Sequence, residues 1–299
     1  MAVGKLGGVT PAFDLAFVGH FARDVIVDGG VRTWSSGGSV YYGAIAAKRL
    51  GASVAVVTKL AREDFEHLEE VRREGVEVFA TEAPETSGIE NTYATPDRNR
   101  RTCRPLGFAG PFSLSELPEL RARYLVLGPI IAGEFDLHFL SNVSSKIEGT
   151  VALDVQGFVR VREGDRLVFR DWAEMPQGLE HVDVLKADDA EVEALTGRQD
   201  LFEGAEVLAS FGPREVLVTR SDAIRVLAFG EAHECPLDAR SSEGRTGRGD
   251  TAFASYLAFR LTHPPGEACQ LAAAATSIKL ERPGPLAATF DQVRARANL

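Results

Sequence analysis

Several protein classes are set aside by what this chain has little of. It carries three cysteines in 299 residues, Cys103, Cys235 and Cys269, odd in number and widely spaced. That count fits reduced thiols in the cytoplasm better than a disulfide framework. No apolar run approaches the roughly 20 residues of a membrane-spanning helix. The first residues, Met1-Ala-Val-Gly-Lys-Leu-Gly-Gly8, have too little apolar core for a secretory signal. Positive charge is in deficit, with 33 Lys and Arg against 43 Asp and Glu and a formal net charge of −10. Nucleic acid and anionic membrane are therefore disfavoured as partners. A dinucleotide-binding dehydrogenase is disfavoured too, because Gly19-His-Phe-Ala-Arg-Asp24 stands where a Gly-x-Gly-x-x-Gly turn would follow the first strand. Internal repeats and low-complexity linkers are missing as well. The chain reads as a soluble cytoplasmic protein.

What is present is an alternation. With 44% apolar residues, a chain of this length can build one large α/β domain or two small ones. Short β-branched runs at 14–19, 53–58, 76–81, 124–128, 151–155, 182–186 and 215–219 predict strands. Helical patterns lie between them at 39–50, 61–74, 134–142, 189–196 and 201–211. Beyond residue 245 the pattern is mostly helical, over 250–261, 266–279 and a short tail from 286. This order predicts an α/β fold: a doubly wound, mainly parallel sheet with helices on both faces. In such sheets ligands gather at the carboxyl ends of the strands. Two stretches break the alternation, about 22–36 and 88–105. Asp28-Gly-Gly30 and Pro96-Asp97 stand there between β-favouring runs and read as hairpin turns.

The stretch richest in chemistry is Gly244-Arg-Thr-Gly-Arg-Gly-Asp250, which runs straight into the helical Thr251-Ala-Phe-Ala-Ser-Tyr-Leu-Ala-Phe259. Gly247 and Gly249 let the backbone turn its N–H groups toward one point. The helix adds its unpaired first-turn N–H groups and the positive end of its dipole. Together these favour a phosphoryl group. Asp250 at the junction is either a helix N-cap or a base that takes the proton from a hydroxyl attacking a phosphate.

This segment resembles the C-terminal signature of the ribokinase-like (PfkB) family of carbohydrate kinases, usually Asp-Thr-Thr-Gly-Ala-Gly-Asp. Three further segments match in the family's order. Ser36-Gly-Gly-Ser-Val-Tyr-Tyr-Gly-Ala-Ile-Ala-Ala-Lys-Arg-Leu-Gly51 is similar to its N-terminal signature. Leu185-Lys-Ala-Asp-Asp-Ala-Glu-Val-Glu-Ala-Leu-Thr-Gly197 resembles its Asn-x-x-Glu segment, and Ala272–Gly284 its nucleotide-side helix and exit. The resemblance runs from residue 14 to about 285. It implies a single kinase domain over 1–299, with the stretches 22–36 and 88–105 forming a small β-sheet lid. An enclosed site would keep water from competing with the substrate hydroxyl.

The resemblance also assigns roles. In it Asp250 is the general base, and Gly247, Arg248 and Gly249 with Asp250 form the anion hole. Asp24, Gly37, Gly38, Tyr42, Asn91, Tyr93 and Gln156 face the acceptor; a carboxylate such as Asp24 can accept from two adjacent hydroxyls of a sugar or polyol. Lys186, Thr219, Arg220, Thr246, Gly249, Ala275 and Ser277 face a nucleotide. Asp188 and Glu191, at the i, i+3 spacing, hold magnesium; the same pair also reads as an N-cap with its capping-box partner. The implied reaction is transfer of the γ-phosphate of ATP, with Mg2+, to a hydroxyl of a small sugar or cyclic polyol. The Tyr41-Tyr42 pair and the Asp154-Val-Gln-Gly157 turn resemble the inositol-kinase branch and suggest myo-inositol. A furanose sugar, or a nucleoside with Phe108, Phe112 or Phe158 against its base, are the other acceptors considered. A homodimer through the lid is a further expectation.

Departures from the pattern are specific. Gly244 stands for Asp, Arg245 for Thr and Arg248 for Ala in the long signature. Thr219-Arg-Ser-Asp-Ala-Ile224 lacks the glycines of the family's nucleotide segment, which opens the choice among ATP, GTP and another donor. The altered signature also leaves room for a catalytically silent, ligand-binding member. Arg248 either reaches the transferring phosphate, stabilising its charge, or points to solvent.

Overall fold

A computed structural model describes residues 12–93 and 102–299; the Pro96-Asp97 turn lies outside them. The chain begins with β1 (Phe13–Val18), β2 (Ala22–Asp28), β3 (Val31–Gly37), α1 (Ser39–Arg49), β4 (Val54–Ala61), α2 (Leu68–Arg73) and β5 (Glu77–Ala83). It continues through β6 (Gly88–Tyr93), β7 (Thr102–Gly107), β8 (Leu120–Leu127), α3 (Leu137–Asn142), β9 (Ile147–Asp154) and α4 (Gln156–Val159). Next come β10 (Arg160–Glu163), β11 (Arg166–Phe169), α5 (Met175–Leu179), β12 (Val184–Asp188), α6 (Asp189–Thr196) and α7 (Leu201–Ala209). The last elements are β13 (Glu215–Thr219), β14 (Ala223–Ala228), β15 (Glu231–Pro236), α8 (Arg248–Arg260), α9 (Pro265–Leu280) and α10 (Phe290–Ala297).

Nine strands form the main sheet in the order β15-β14-β13-β12-β9-β8-β1-β4-β5. From β13 to β5 every neighbouring pair is parallel. Strands covered on both faces should be apolar throughout, and β4 and β13 are buried along their whole length. One face packs α1, α8, α9 and α10 in a core with Phe17, Ile45, Phe253 and Phe259. The other packs α3, α5, α6 and α7 around Leu125, Phe139, Leu153 and Val216. Helix α8 is pinned to the sheet by charge as well as packing. Tyr256 donates to Glu215 at 2.5 Å and Arg260 pairs with the same carboxylate at 2.8 Å, so a strand residue fixes the helix that carries Asp250.

Three features differ from the pattern read along the sequence. The sheet does not end at Glu215–Thr219: β14 and β15 extend it as an antiparallel hairpin. Its two-residue turn, Phe229-Gly230, has φ of +52° and +84°, the positive values that a tight hairpin turn demands. The stretch 61–74 is not one helix, because Ala61 closes β4 and a 3-10 turn covers Arg62–His67 before α2. Strands β10 and β11 form a further antiparallel pair.

A second sheet, β3-β2-β6-β7, is built from the two stretches that broke the alternation. Strand β2 pairs parallel with β6, while β3 and β7 pair antiparallel at the edges. It stands beside the carboxyl ends of the central strands.

Candidate active site

A cavity of about 340 Å³ opens where those strand ends meet the second sheet, near the lower end of the range for ligand pockets. Asp154, Lys186, Asp188 and Thr219 line it from the ends of β9, β12 and β13. Asp24, Asn91 and Cys103 line it from the second sheet, and Arg245 to Asp250 from the loop opening α8. Leu167 and Phe169 of β11 complete the wall.

Helix α8 starts at Arg248, and its N-cap is Gly247 in the left-handed region with φ +79°. A Cβ at this position would lie 2.2 Å from Cγ of the Tyr42 ring, so both conformation and space require glycine. The first intrahelical bond runs from Thr251 N–H to the Gly247 carbonyl at 3.0 Å. Gly249 and Asp250 thus lie in the first turn, where N–H groups have no intrahelical acceptor. The N-cap alternative for Asp250 does not hold: it is the third helical residue, and no side chain caps this helix. Its carboxyl is free for chemistry. Burial pushes the Asp250 pKa up to about 6, the negative charges of Asp154 and Asp24 add to the rise, and Lys186 and Arg160 oppose it.

Beneath this loop lies an ionic floor. Asp154 and Lys186 are in-register partners on β9 and β12, and the ammonium sits 3.1 Å from the carboxylate and 3.5 Å from Glu191. Burial pulls the Lys186 pKa down, but Asp154, Glu191 and Asp188 outweigh it and the net shift is upward. Asp154 also accepts the Gln156 N–H at 3.1 Å, and Gln156 Nε2 donates to the Ile130 carbonyl at 3.2 Å. The buried Arg160 brings a guanidinium to the cavity.

At the far end Asp24 accepts the Ile89 N–H at 2.8 Å through Oδ1. A Cβ on Gly37 would lie 2.3 Å from its Oδ2, so Gly37 lets the two strands close around this carboxylate. Gly38 (φ +87°) starts α1 and lines the cavity with Tyr42. Asn91 Oδ1 accepts the Cys103 thiol at 3.3 Å.

Several expected residues are not brought to the cavity. Ala275, within α9, is sealed in the core. Ser277 is equally buried, donating to the Ala273 carbonyl at 2.8 Å and accepting the Asp238 N–H at 3.0 Å. Neither lines this cavity. Arg220 pairs with Asp222 at 3.1 Å, away from the lining, and Tyr93 is buried off it. Gly37 supports the wall without lining it.

The magnesium pair divides. Asp188 and Glu191 form a full capping box, Asp188 N–H to Glu191 Oε2 at 2.7 Å and Glu191 N–H to Asp188 Oδ1 at 2.8 Å. Glu191 is completely buried and burial pushes its pKa up to about 8, with the Lys186 charge opposing. Asp188 lines the cavity and Glu191 does not. Among the described residues no group of three His, Cys, Asp or Glu side chains could hold a metal ion alone. Of the pair, only Asp188 presents a carboxylate toward the cavity.

Sequence reasoning missed the β10–β11 hairpin as a wall. Its signal was present: Gly164 turns the chain at φ +60° between Arg160-Val-Arg-Glu and Arg166-Leu-Val-Phe. Cys103 was read for redox compartment alone.

No protein-family model matches the chain, and no curated protein does. Solved structures do. A pyrophosphate-dependent kinase in the ribokinase family, complexed with a pyrophosphate analog and myo-inositol, is 36% identical with a TM-score of 0.86, over 94% of this chain and 99% of that one. A pyrophosphate-dependent myo-inositol-1 kinase, converted into a myo-inositol-3 kinase by two substitutions, is 34% identical with a TM-score of 0.85, over 95% and 98%. Arabidopsis thaliana ribokinase, complexed with ribose and ATP, shares the fold at 18% identity and a TM-score of 0.74, over 97% and 100%. The chain belongs to the ribokinase family. It is a phosphotransferase that acts on a hydroxyl of a sugar or polyol. Among the described residues no helix is long and apolar enough to cross a membrane.

Proposed function

We propose that this kinase transfers a phosphoryl group from pyrophosphate to a hydroxyl of myo-inositol or a similar cyclic polyol. The observation that carries the donor assignment is the pair Arg245 and Arg248. Both depart from the family's signature, and both line the cavity beside Lys186 and Arg160. Pyrophosphate has no base or ribose to grip, so its recognition must come from concentrated positive charge, and guanidinium groups match phosphate geometry. The absence of the family's nucleotide-segment glycines from Thr219-Arg-Ser-Asp-Ala-Ile224 points the same way. So do the pyrophosphate-dependent kinases at 34% and 36% identity.

In this reading Asp24 accepts from neighbouring hydroxyls of the acceptor, with Asn91 and Gln156 as further polar contacts. The transferring phosphoryl lies on the N–H groups of Gly249 and Asp250. Asp250, with a pKa near 6, is ionised at neutral pH and still basic enough to take the acceptor's proton as its oxygen attacks. Arg245 and Arg248 stabilise charge on the donor and on the departing phosphate. Magnesium, bound with the donor and reached by Asp188, would screen the phosphate oxygens from one another. The second sheet and the β10–β11 hairpin shield the acceptor from bulk water. Free Cys103, Cys235 and Cys269 support a reducing, cytoplasmic setting.

The test measures phosphate release from pyrophosphate, and ADP release from ATP, with Mg2+ and a panel of polyols, furanose sugars and nucleosides. Turnover with pyrophosphate and a cyclic polyol is expected, lost in Asp250→Asn. Turnover with ATP alone overturns the donor assignment, and a furanose or nucleoside as the sole acceptor overturns the acceptor assignment. Silence with both donors identifies a ligand-binding member.

A further inference from the structure

Lys279, in the last turn of α9, is a buried cation that the chemistry above leaves without a task. It is 2% exposed, and among the described residues no carboxylate lies within ion-pairing distance. Its ammonium donates instead to the backbone carbonyl of Gly244 at 2.5 Å and faces the ring of Tyr42, 5.2 Å from the centroid. Burying an ammonium against a neutral carbonyl and an aromatic face compensates its desolvation less well than pairing it with a carboxylate.

Both of its contacts belong to the anion-binding loop or its support. Gly244 begins that loop and is wedged against the end of α9: its N–H donates to the Leu280 carbonyl at 2.8 Å. A Cβ there would meet the carbonyl oxygens of Lys279 at 2.4 Å and Arg282 more tightly still. Three residues on, Gly247 rests on the face of Tyr42. One ammonium therefore holds the first residue of the loop and faces the ring on which its turn is seated. Burial lowers the Lys279 pKa to about 8, with the Asp250 carboxylate opposing the fall.

We propose that Lys279 is a positioning residue for phosphoryl transfer, its ammonium fixing the Gly244 carbonyl and the Tyr42 ring so that the N–H groups at 249 and 250 converge on the anion. The proposal rests on the reading that this loop receives the transferring phosphoryl. It assigns work to an element far from Asp250 in sequence, and it explains the glycine at the head of the loop: any side chain at 244 would push the carbonyl off the ammonium.

The test compares wild type with Lys279→Met, which keeps volume and removes charge, and Lys279→Ala, which leaves space for a small amine. The stem of Lys279 also borders a separate surface cleft of about 230 Å³, which gives an amine a route in. Displacing the loop by about 1 Å should lower kcat about 10²-fold in Lys279→Met, with the acceptor KM nearly unchanged. Methylammonium should restore turnover to Lys279→Ala and not to Asp250→Asn. Wild-type kcat in Lys279→Met overturns the proposal, as does a folded Lys279→Ala enzyme that no amine rescues. Pyrophosphate binding by calorimetry separates the two readings. If wild type binds pyrophosphate without turning over, the kinase reading fails alone; Lys279→Met must still bind it more weakly, and equal affinity overturns the positioning role.

Discussion

Lys186 and Asp154 face each other in register across β12 and β9, joined by a buried ion pair of 3.1 Å, and the charge of each reaches Asp250. Asp154 raises the affinity of Asp250 for its proton, and Lys186 lowers it. The base strength of Asp250 is therefore set partly by a pair it does not bond.

Replacing Lys186 with Met should shift the acid limb of kcat/KM upward from about 6, because the opposing cation is gone while Asp154 remains. The same change leaves Asp154 and Glu191 without their buried counter-charge, which typically costs about 3–5 kcal/mol. A pH–rate profile and a denaturant titration measure the two effects separately. An unmoved acid limb would show that Lys186 does not tune the base.

Asp250 itself couples activity to stability with opposite signs. Its pKa rises from 3.8 to about 6 on folding, so the folded state holds the proton more tightly than the unfolded chain. Stability from this group is fully present below about pH 4 and is lost as pH rises through 6. Asp250→Asn removes the partly buried charge and should be more stable than wild type at pH 8, by up to about 3 kcal/mol. The gap should close toward pH 4. Turnover should fall about 10²–10⁴-fold at the same time. Thermal unfolding of both proteins at pH 4 and 8 decides it, since a wild type equal to or above the variant at pH 8 contradicts a strained carboxylate.

Much of this arrangement is legible along the chain, for identifiable reasons. Glu215–Thr219 and Asp189–Thr196 have the bounds their patterns predict, because a doubly buried strand and a capped helix each carry their signal locally. Gly247 is legible because the αL turn excludes other residues. Strand β15 is hard to read because it is an edge strand with a polar exposed face, Glu231-Ala-His-Glu-Cys-Pro236, where alternation is weak. The inward and outward faces of α9 are illegible for a related reason. An alanine-rich helix shows no preferred face, and which side of α9 meets α8 is decided by tertiary packing. Lys279 gave no signal, since a lysine in a last helical turn ordinarily caps the dipole from solvent.

The donor assignment makes Arg245 and Arg248 separable from the acceptor site. A charge-assisted bond to phosphate is worth about 1.5–3 kcal/mol. Arg248→Ala and Arg245→Ala should each raise the pyrophosphate KM or lower kcat by about 10- to 100-fold at low salt. The KM for the polyol should hold, because Asp24 and Asn91 sit on the second sheet rather than on the loop opening α8. Kinetics over both substrates at two ionic strengths test this, and a selective rise in the polyol KM would place these side chains at the wrong end.

The contact between Gly247 and Tyr42 offers the sharpest structural test. An alanine at 247 would need a left-handed backbone, costing about 1–2 kcal/mol, and its Cβ would fall 2.2 Å from the ring, an overlap that forces a further 1–3 kcal/mol of rearrangement, roughly. Tyr42→Ala alone should also destabilise, by about 3–5 kcal/mol, since its nearly buried ring leaves a void. The double variant should lose clearly less than the two combined: the void left by the ring receives the new methyl, and only the backbone strain persists. A coupling of about 1–3 kcal/mol in a denaturant cycle is expected, and additivity within about 0.5 kcal/mol would show that loop and ring are not in contact. Activity should not follow stability in this cycle. The double variant relieves the overlap but removes the surface that aims the loop, so its kcat should stay as low as in either single variant although its stability loss is smaller than their sum.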